Sequence, residues 1–346
     1  MKKRVLYYAL ALLCTASIAG CNAKVKENTK ENENIETGVD LEEDDQGMVQ
    51  EKGDGTQKIQ EEDEKNNEIV EVDYDSNSQS LLGGGITYEI NGKEATVTGY
   101  ENLDMEDFYI PDKIHYEDKD YPVTEIGESA FESSTNLVRF VAGNNLTTIA
   151  ENAFYSCDTI VSADLSDAAT SIGKNAFGGC TILEEVKGVS SLTQISDSAF
   201  SGCTELREFT VPADANLGGE IFTDCENLEK CIFEEGASVV SNGMFTNCTA
   251  LTEMELPTSI VAINAEAFWG CSGLTELKLP KKLVTIGDKA FYDSGIKELK
   301  MPESIATVNF EMLEGMSELE KIQVPEAKKA SYEEQFNDYG ITIETY

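Results

Sequence analysis

Leu251-Thr-Glu-Met-Glu-Leu-Pro-Thr-Ser-Ile-Val-Ala-Ile-Asn-Ala-Glu-Ala-Phe-Trp-Gly-Cys271 is one period of a pattern that recurs along most of the chain. Its phenylalanine belongs to a column formed by Phe131, Phe154, Phe177, Phe200, Phe222, Phe245, Phe268 and Phe291, with Leu313 in the next slot, so the unit returns every 22 or 23 residues. Five residues before each of these lies an aliphatic, from Ile126 and Ile149 through Leu217 and Val240 to Ile286 and Val308. Three residues after six of them lies Cys157, Cys180, Cys203, Cys225, Cys248 or Cys271. A unit this short cannot bury its apolar side alone, so a fixed period of this length predicts a stack of coils.

Outward from the phenylalanine, leucine-like residues follow at six, nine and eleven positions, as in Leu274, Leu277 and Leu279. The last two alternate with polar residues, the period-2 pattern of a short strand with one buried face. Small residues around the aliphatic slot suit a tight turn on the opposite edge, so each coil is expected to be one short strand plus a return path. At the amino end, Asn91-Gly92-Lys93 separates two alternating runs, Ile86–Ile90 and Glu94–Thr98, which predicts a capping hairpin. At the carboxyl end, residues 327–337 are expected to form a short helix and Ile341-Thr-Ile343 a final strand.

The Ile-x-x-x-Ala-Phe-x-x-Cys core of this repeat resembles that of the BspA-like leucine-rich-repeat family of bacterial surface proteins, over roughly residues 86–325. The resemblance implies a β-rich α/β fold: a leucine-rich-repeat solenoid, built as a curved parallel sheet of about nine coils with a cap at each end. It also implies a cell-surface scaffold for adhesion or protein binding, and no reaction.

The first residues belong to targeting rather than fold. Lys2, Lys3 and Arg4 precede an apolar run from Val5 to Ala19, and Ile18-Ala19-Gly20-Cys21 reads as a lipoprotein cleavage box, which makes Cys21 the expected lipidation site. The run is too short for a spanning helix, which needs about 20 apolar residues. Residues 22–80 carry 19 Asp and Glu against 6 Lys with almost no aromatics, the composition of a disordered acidic tether. The expected organisation is therefore a signal peptide at 1–21, a tether at 22–80, an N-terminal cap at 81–122, the solenoid at 123–325 and a C-terminal cap at 326–346. Gly83-Gly84-Gly85 reads as a hinge between tether and cap.

A net charge of −39 excludes nucleic acid as a partner, because phosphate binding needs clustered Lys and Arg. Cysteines repeated in one slot of successive coils read as small buried hydrophobes, reduced and unbridged, since strands about 4.8 Å apart miss disulfide geometry. No cofactor or metal site is expected, and no catalytic residue: the single histidine, His115, precedes the first full repeat and cannot assemble a histidine-rich cage. The chain is not expected to be an enzyme.

Function is then left to positions that the repeat does not fix. The outward strand residues Arg139, Glu185, Lys187, Glu208, Lys230, Glu253, Glu255, Glu276, Lys278, Glu298 and Lys300 form the candidate binding surface. Trp269 and Tyr292, in the slot just after the phenylalanine, could add an aromatic pair on one edge. The expected function is a lipid-anchored scaffold at the extracellular face of a bacterial cell membrane, or alternatively an outer membrane, whose monomeric ectodomain binds a protein or alternatively a glycan. Two other readings are a structural envelope protein that organises its own cell surface and, least favoured, a glycan hydrolase.

Overall fold

The structure is a computed structural model that describes residues 69–75, 80–101, 107–305, 310–336 and 339–346. The signal peptide, Cys21, most of the tether and Val308 lie outside the described residues.

Each coil carries two parallel strand pairings rather than the single one expected. The first ladder runs through the outward-facing strands, beginning Asp107–Tyr109, Arg139–Val141, Ser162–Asp164 and Glu185–Lys187. The second runs through the aliphatic slot on the return path, beginning Glu125-Ile126, Thr148-Ile149, Ser171-Ile172, Gln194-Ile195 and Asn216-Leu217. The return path is extended because its aliphatic residue must point into the core while its neighbours' main-chain groups find partners in the adjacent coils.

The phenylalanine sits in a turn of unusual handedness. The residues two before and two after it have positive φ in coil after coil: Ser129 and Ser133, Asn152 and Ser156, Ser198 and Gly202, Glu266 and Gly270. Alternating right- and left-handed residues aim every second N–H along the same axis. Ser129, Phe131 and Ser133 thus donate to the carbonyls of Glu151, Ala153 and Tyr155 of the next coil, at 3.1, 2.8 and 2.8 Å. The intervening N–H groups close turns inside their own coil, as Ala130 does to Gly127 and Ser134 to Phe131.

Inside this turn the rings from Phe131 to Phe291 stack with centroids 5.0–5.7 Å apart and planes within 5–12° of parallel. All eight are fully buried, and Tyr100 extends the column onto Phe131 at 5.6 Å. The cysteines have a sharper role than small hydrophobes. Each of the six thiols in the slot three residues after the phenylalanine donates to the carbonyl of the preceding coil's phenylalanine, from Cys157 to Phe131 at 2.9 Å through Cys271 to Phe245 at 3.1 Å. That carbonyl already accepts one bond within its own coil, so the thiol uses its second lone pair. Ser294 holds the same slot, yet its buried hydroxyl has no partner. A C–O bond is shorter than a C–S bond, so oxygen falls short of the carbonyl that sulfur reaches. All seven described thiols are free, and burial pushes that of Cys157 up to about 12 and the others in the same direction.

Both caps extend the stack. The hairpin forms as Ile86–Asn91 against Glu94–Tyr100, turning at Gly92. The folded part begins earlier than residue 81, however. Ile69–Glu71 pairs with Lys113–Tyr116, and Asp73–Asp75 pairs with Ser80–Gly83. Val72 is buried between them. Residues 69–75 are therefore cap, and Gly84 and Gly85, both at positive φ, form the turn into the hairpin rather than a hinge. At the other end a 3-10 turn at Glu326–Lys328 leads into a helix at Lys329–Phe336, whose Tyr332 and Phe336 are buried. Thr342–Thr345 then adds a parallel strand to Lys321–Val324. The lone histidine lies in the N-terminal cap, with its Nδ1 2.7 Å from Asp120 Oδ1. Asp112, three residues earlier, accepts from the Asn144 N–H at 2.6 Å and so ties the cap to the first coil.

Three measurements follow from this construction. Phe200→Ala removes a ring from the middle of the column and should lower stability by roughly 3–5 kcal/mol in urea unfolding; a loss below about 1 kcal/mol would contradict the stack as the core. Ser294→Cys should gain about 1 kcal/mol by bonding to the second lone pair of the Phe268 carbonyl, and Cys203→Ser should lose a similar amount. If both serines behave like both cysteines, the thiol bond carries no weight. Finally, the hydrogen bond from Asp120 raises the pKa of His115 above its usual 6.5. Stability from this contact is fully present below that value and is lost as pH rises through the folded pKa. An NMR titration should place His115 above 6.5, and Asp120→Asn should bring it down; an unchanged titration in the variant would assign the shift elsewhere.

Candidate binding surface

The repeat places two side chains of each outward strand on the solvent side, at eight and ten residues past the phenylalanine. The strands are short because the leucine-like residues on either side turn inward, and this leaves a strip two residues wide along the solenoid. Its side chains divide into three groups.

At the amino end the strip is locked onto the cap. Arg139 makes two bonds to the Asp107 carboxylate, at 3.2 and 3.0 Å, and a third to the Tyr109 hydroxyl at 2.7 Å. Its fork geometry suits this bidentate clamp, so Arg139 holds cap to first coil instead of standing free.

The middle of the strip is acidic and open. The strand ladder is interrupted between Glu185–Lys187 and Glu208–Val211, and again after Glu253–Glu255, where Glu276 makes only an isolated bridge to Glu298. At the first interruption Glu185, Glu208 and Glu253 surround Arg207 and Lys230. Lys230 pairs across coils with Glu253 at 3.5 Å, while Lys187 turns back to Glu185 on its own strand at 3.2 Å. At the second, Lys230, Glu253, Glu255, Glu276 and Lys278 rim a groove of about 520 Å³ floored by Met254 and Leu256. Ile232 stands in this groove at 38% exposure, an apolar residue in an outward slot that is otherwise almost entirely polar.

Toward the carboxyl end, Glu298 pairs with Lys321 at 2.8 Å. Lys300 places its ammonium 4.0 Å from the centre of the Tyr346 ring. Lys278 and Lys300 flank a second depression, which also contains Leu279, Pro302 and Tyr346.

Trp269 and Tyr292 stack on each other at 4.2 Å on the turn edge, away from the strip. Both are half-buried. The other side of Tyr292 is taken by Gly315, where a Cβ would lie 2.1 Å from the ring. Lys289 covers the pair, 5.7 Å from one ring and 5.9 Å from the other, and reaches Glu314 at 3.9 Å. The pair is thus chiefly a packing element between turns.

The structure therefore brings Glu185, Glu208, Lys230, Glu253, Glu255, Glu276 and Lys278 onto one open face and leaves Arg139, Trp269 and Tyr292 off it. Ile232, a β-branched residue in an outward strand slot, joins them on that face. Among the described residues, no group of three or more His, Cys, Asp or Glu converges as a metal set. No described helix is long and apolar enough to cross a membrane.

The fold has close counterparts. A leucine-rich repeat protein from Bacteroides ovatus superposes with a TM-score of 0.63 at 24% identity, over 77% of this chain and 76% of its own. A leucine-rich repeat protein from T. pallidum gives a TM-score of 0.51 at 25% identity, over 55% of this chain and 88% of its own. No curated protein matches the chain. The profile of the BspA type leucine rich repeat region matches residues 100–229 and 215–342, in six copies. With that profile covering most of the solenoid and the Phe-Cys turn repeated through it, the chain belongs to the BspA type leucine-rich-repeat family.

Proposed function

We propose that the protein is a lipid-anchored scaffold of the bacterial cell surface that binds a protein partner through the open part of its strand face. The groove at Ile232 carries this reading. It has the anatomy of a recognition site, an apolar centre enclosed by a charged rim, on a face where most other side chains merely solubilise the sheet. The rim is mainly acidic, with Glu253, Glu255 and Glu276 beside Lys230 and Lys278. The partner is accordingly a protein that presents an apolar side chain within a basic surround, and the acidity of the whole chain steers its approach.

Anchoring rests on the basic n-region, the apolar run and the Cys21 box of the sequence. The acyl chains on Cys21 hold the protein to the membrane from outside, and the acidic segment that follows keeps the solenoid off an anionic lipid surface. The family's character as a binding scaffold agrees with a non-catalytic role.

Affinity capture from envelope and host-surface extracts should yield a protein whose retention is lost with Ile232→Asp and falls about tenfold or more with Glu253→Lys combined with Glu255→Lys. Trp269→Ala should leave it bound. Capture that survives Ile232→Asp but fails with Trp269→Ala would move the site to the turn edge and overturn this assignment.

A further inference from the structure

The lysines on and beside the strand face fall into two classes. Lys187, Lys230 and Lys321 each meet a carboxylate, at 3.2, 3.5 and 2.8 Å. Lys278, Lys281 and Lys300 form no ion pair among the described residues. In a chain with 65 Asp and Glu against 26 Lys and Arg, three neighbouring ammonium groups left without a carboxylate are a departure from the rest of the surface.

All three line one depression of about 590 Å³ at the carboxyl end of the strip, together with Leu279, Pro302, Glu303 and Tyr346. The Tyr346 hydroxyl donates to the Met301 carbonyl at 2.7 Å, which holds the ring on the sheet, and the residue stays 47% exposed. Lys300 sits over the ring. The depression is thus an apolar centre inside a basic rim. It is the counterpart in sign of the groove of about 520 Å³ next to it, where Ile232 stands among Glu253, Glu255 and Glu276. The two lie side by side on one face, with Lys278 at their common border.

Resting on the reading of the Ile232 groove as a recognition site, we propose that its partner is the lysine-rimmed depression of a second copy of this chain. The groove calls for an apolar side chain within a basic surround, and the chain presents that arrangement itself. A two-fold axis that lies in the face and crosses the strip between the two sites brings each groove onto the other copy's depression. Both contacts then form at once, and the pair closes without leaving either site for a third copy. The net charge of −39 repels two copies at a distance. That repulsion decays over about 8 Å at physiological salt, so attraction between the opposed patches takes over at contact.

The test is sedimentation equilibrium of the full chain carrying Cys21→Ser, which removes the lipid, in about 0.15 M salt. Dimers should form with a dissociation constant on the order of 10 μM, in the range of small transient interfaces. Lys281→Glu with Lys300→Glu turns the depression acidic, and Glu253→Lys with Glu255→Lys turns the groove basic. Each double variant alone should remain monomeric at about ten times that concentration. Mixed together they should dimerise again, because every groove then meets a depression of opposite charge. Ile232→Asp should weaken the dimer about tenfold or more, and Trp269→Ala should leave it unchanged. A parent chain that stays monomeric while its groove captures a different protein overturns the dimer and leaves the proposed function standing. A chain that neither dimerises nor captures a partner overturns both. Dimerisation unaltered in both double variants, or no recovery in their mixture, also overturns the proposal.

Discussion

The structure depends on a constraint at the phenylalanine turn, where alternating handedness forces three N–H groups per coil to point toward the following coil. A turn built this way cannot satisfy itself. It needs another coil with the same turn one step further on, and the ring inside it then lands on the next ring at 5.0–5.7 Å. The left-handed positions explain the Ser, Asn, Asp and Gly that surround each phenylalanine, since these residues tolerate that conformation at least cost. The cysteine belongs to the same device, because it takes up the one lone pair that the turn leaves over.

Much of this was legible before any coordinate. The period and the separation of core columns from free positions follow from spacing alone, and the buried residues Ile149, Phe154 and Cys157 bear them out. The second ladder was not legible, because a two-residue strand such as Ser171-Ile172 has no periodicity of its own. Residues 69–75 were lost to their composition. In Ile69-Val-Glu-Val-Asp-Tyr-Asp75 the acids that signal disorder are the alternate members of a strand pattern, and Val72 is the buried one. The Cys slot was read by size, which missed that sulfur reaches a carbonyl and that Ser294 does not. The candidate strip was found as a set of positions, but its division into a clamp at Arg139, an acidic opening and a lysine-bearing end depends on where the ladder breaks.

Those breaks separate what is shared from what is particular. Wherever the ladders are continuous, one coil resembles the next and the surface is uniform. Where a residue is missing or a strand shortens, an apolar side chain becomes accessible: Ile232 on one side of the coil, Leu217 on the other. The irregularities are thus where the surface of one coil differs from that of the next.

The one-way bonding of the turns also bears on how such chains change length. Every coil offers the same donors behind it and the same acceptors in front, and it meets no more distant coil. A whole coil can therefore be copied or lost without altering the partners of any that remain, so the repeat number is free to drift. What cannot drift is a fraction of a coil. The one-residue shortening before Leu217 is tolerated by the coil ahead and felt by the coil behind. Duplication extends the surface, whereas single-residue loss is what makes a place on it distinct.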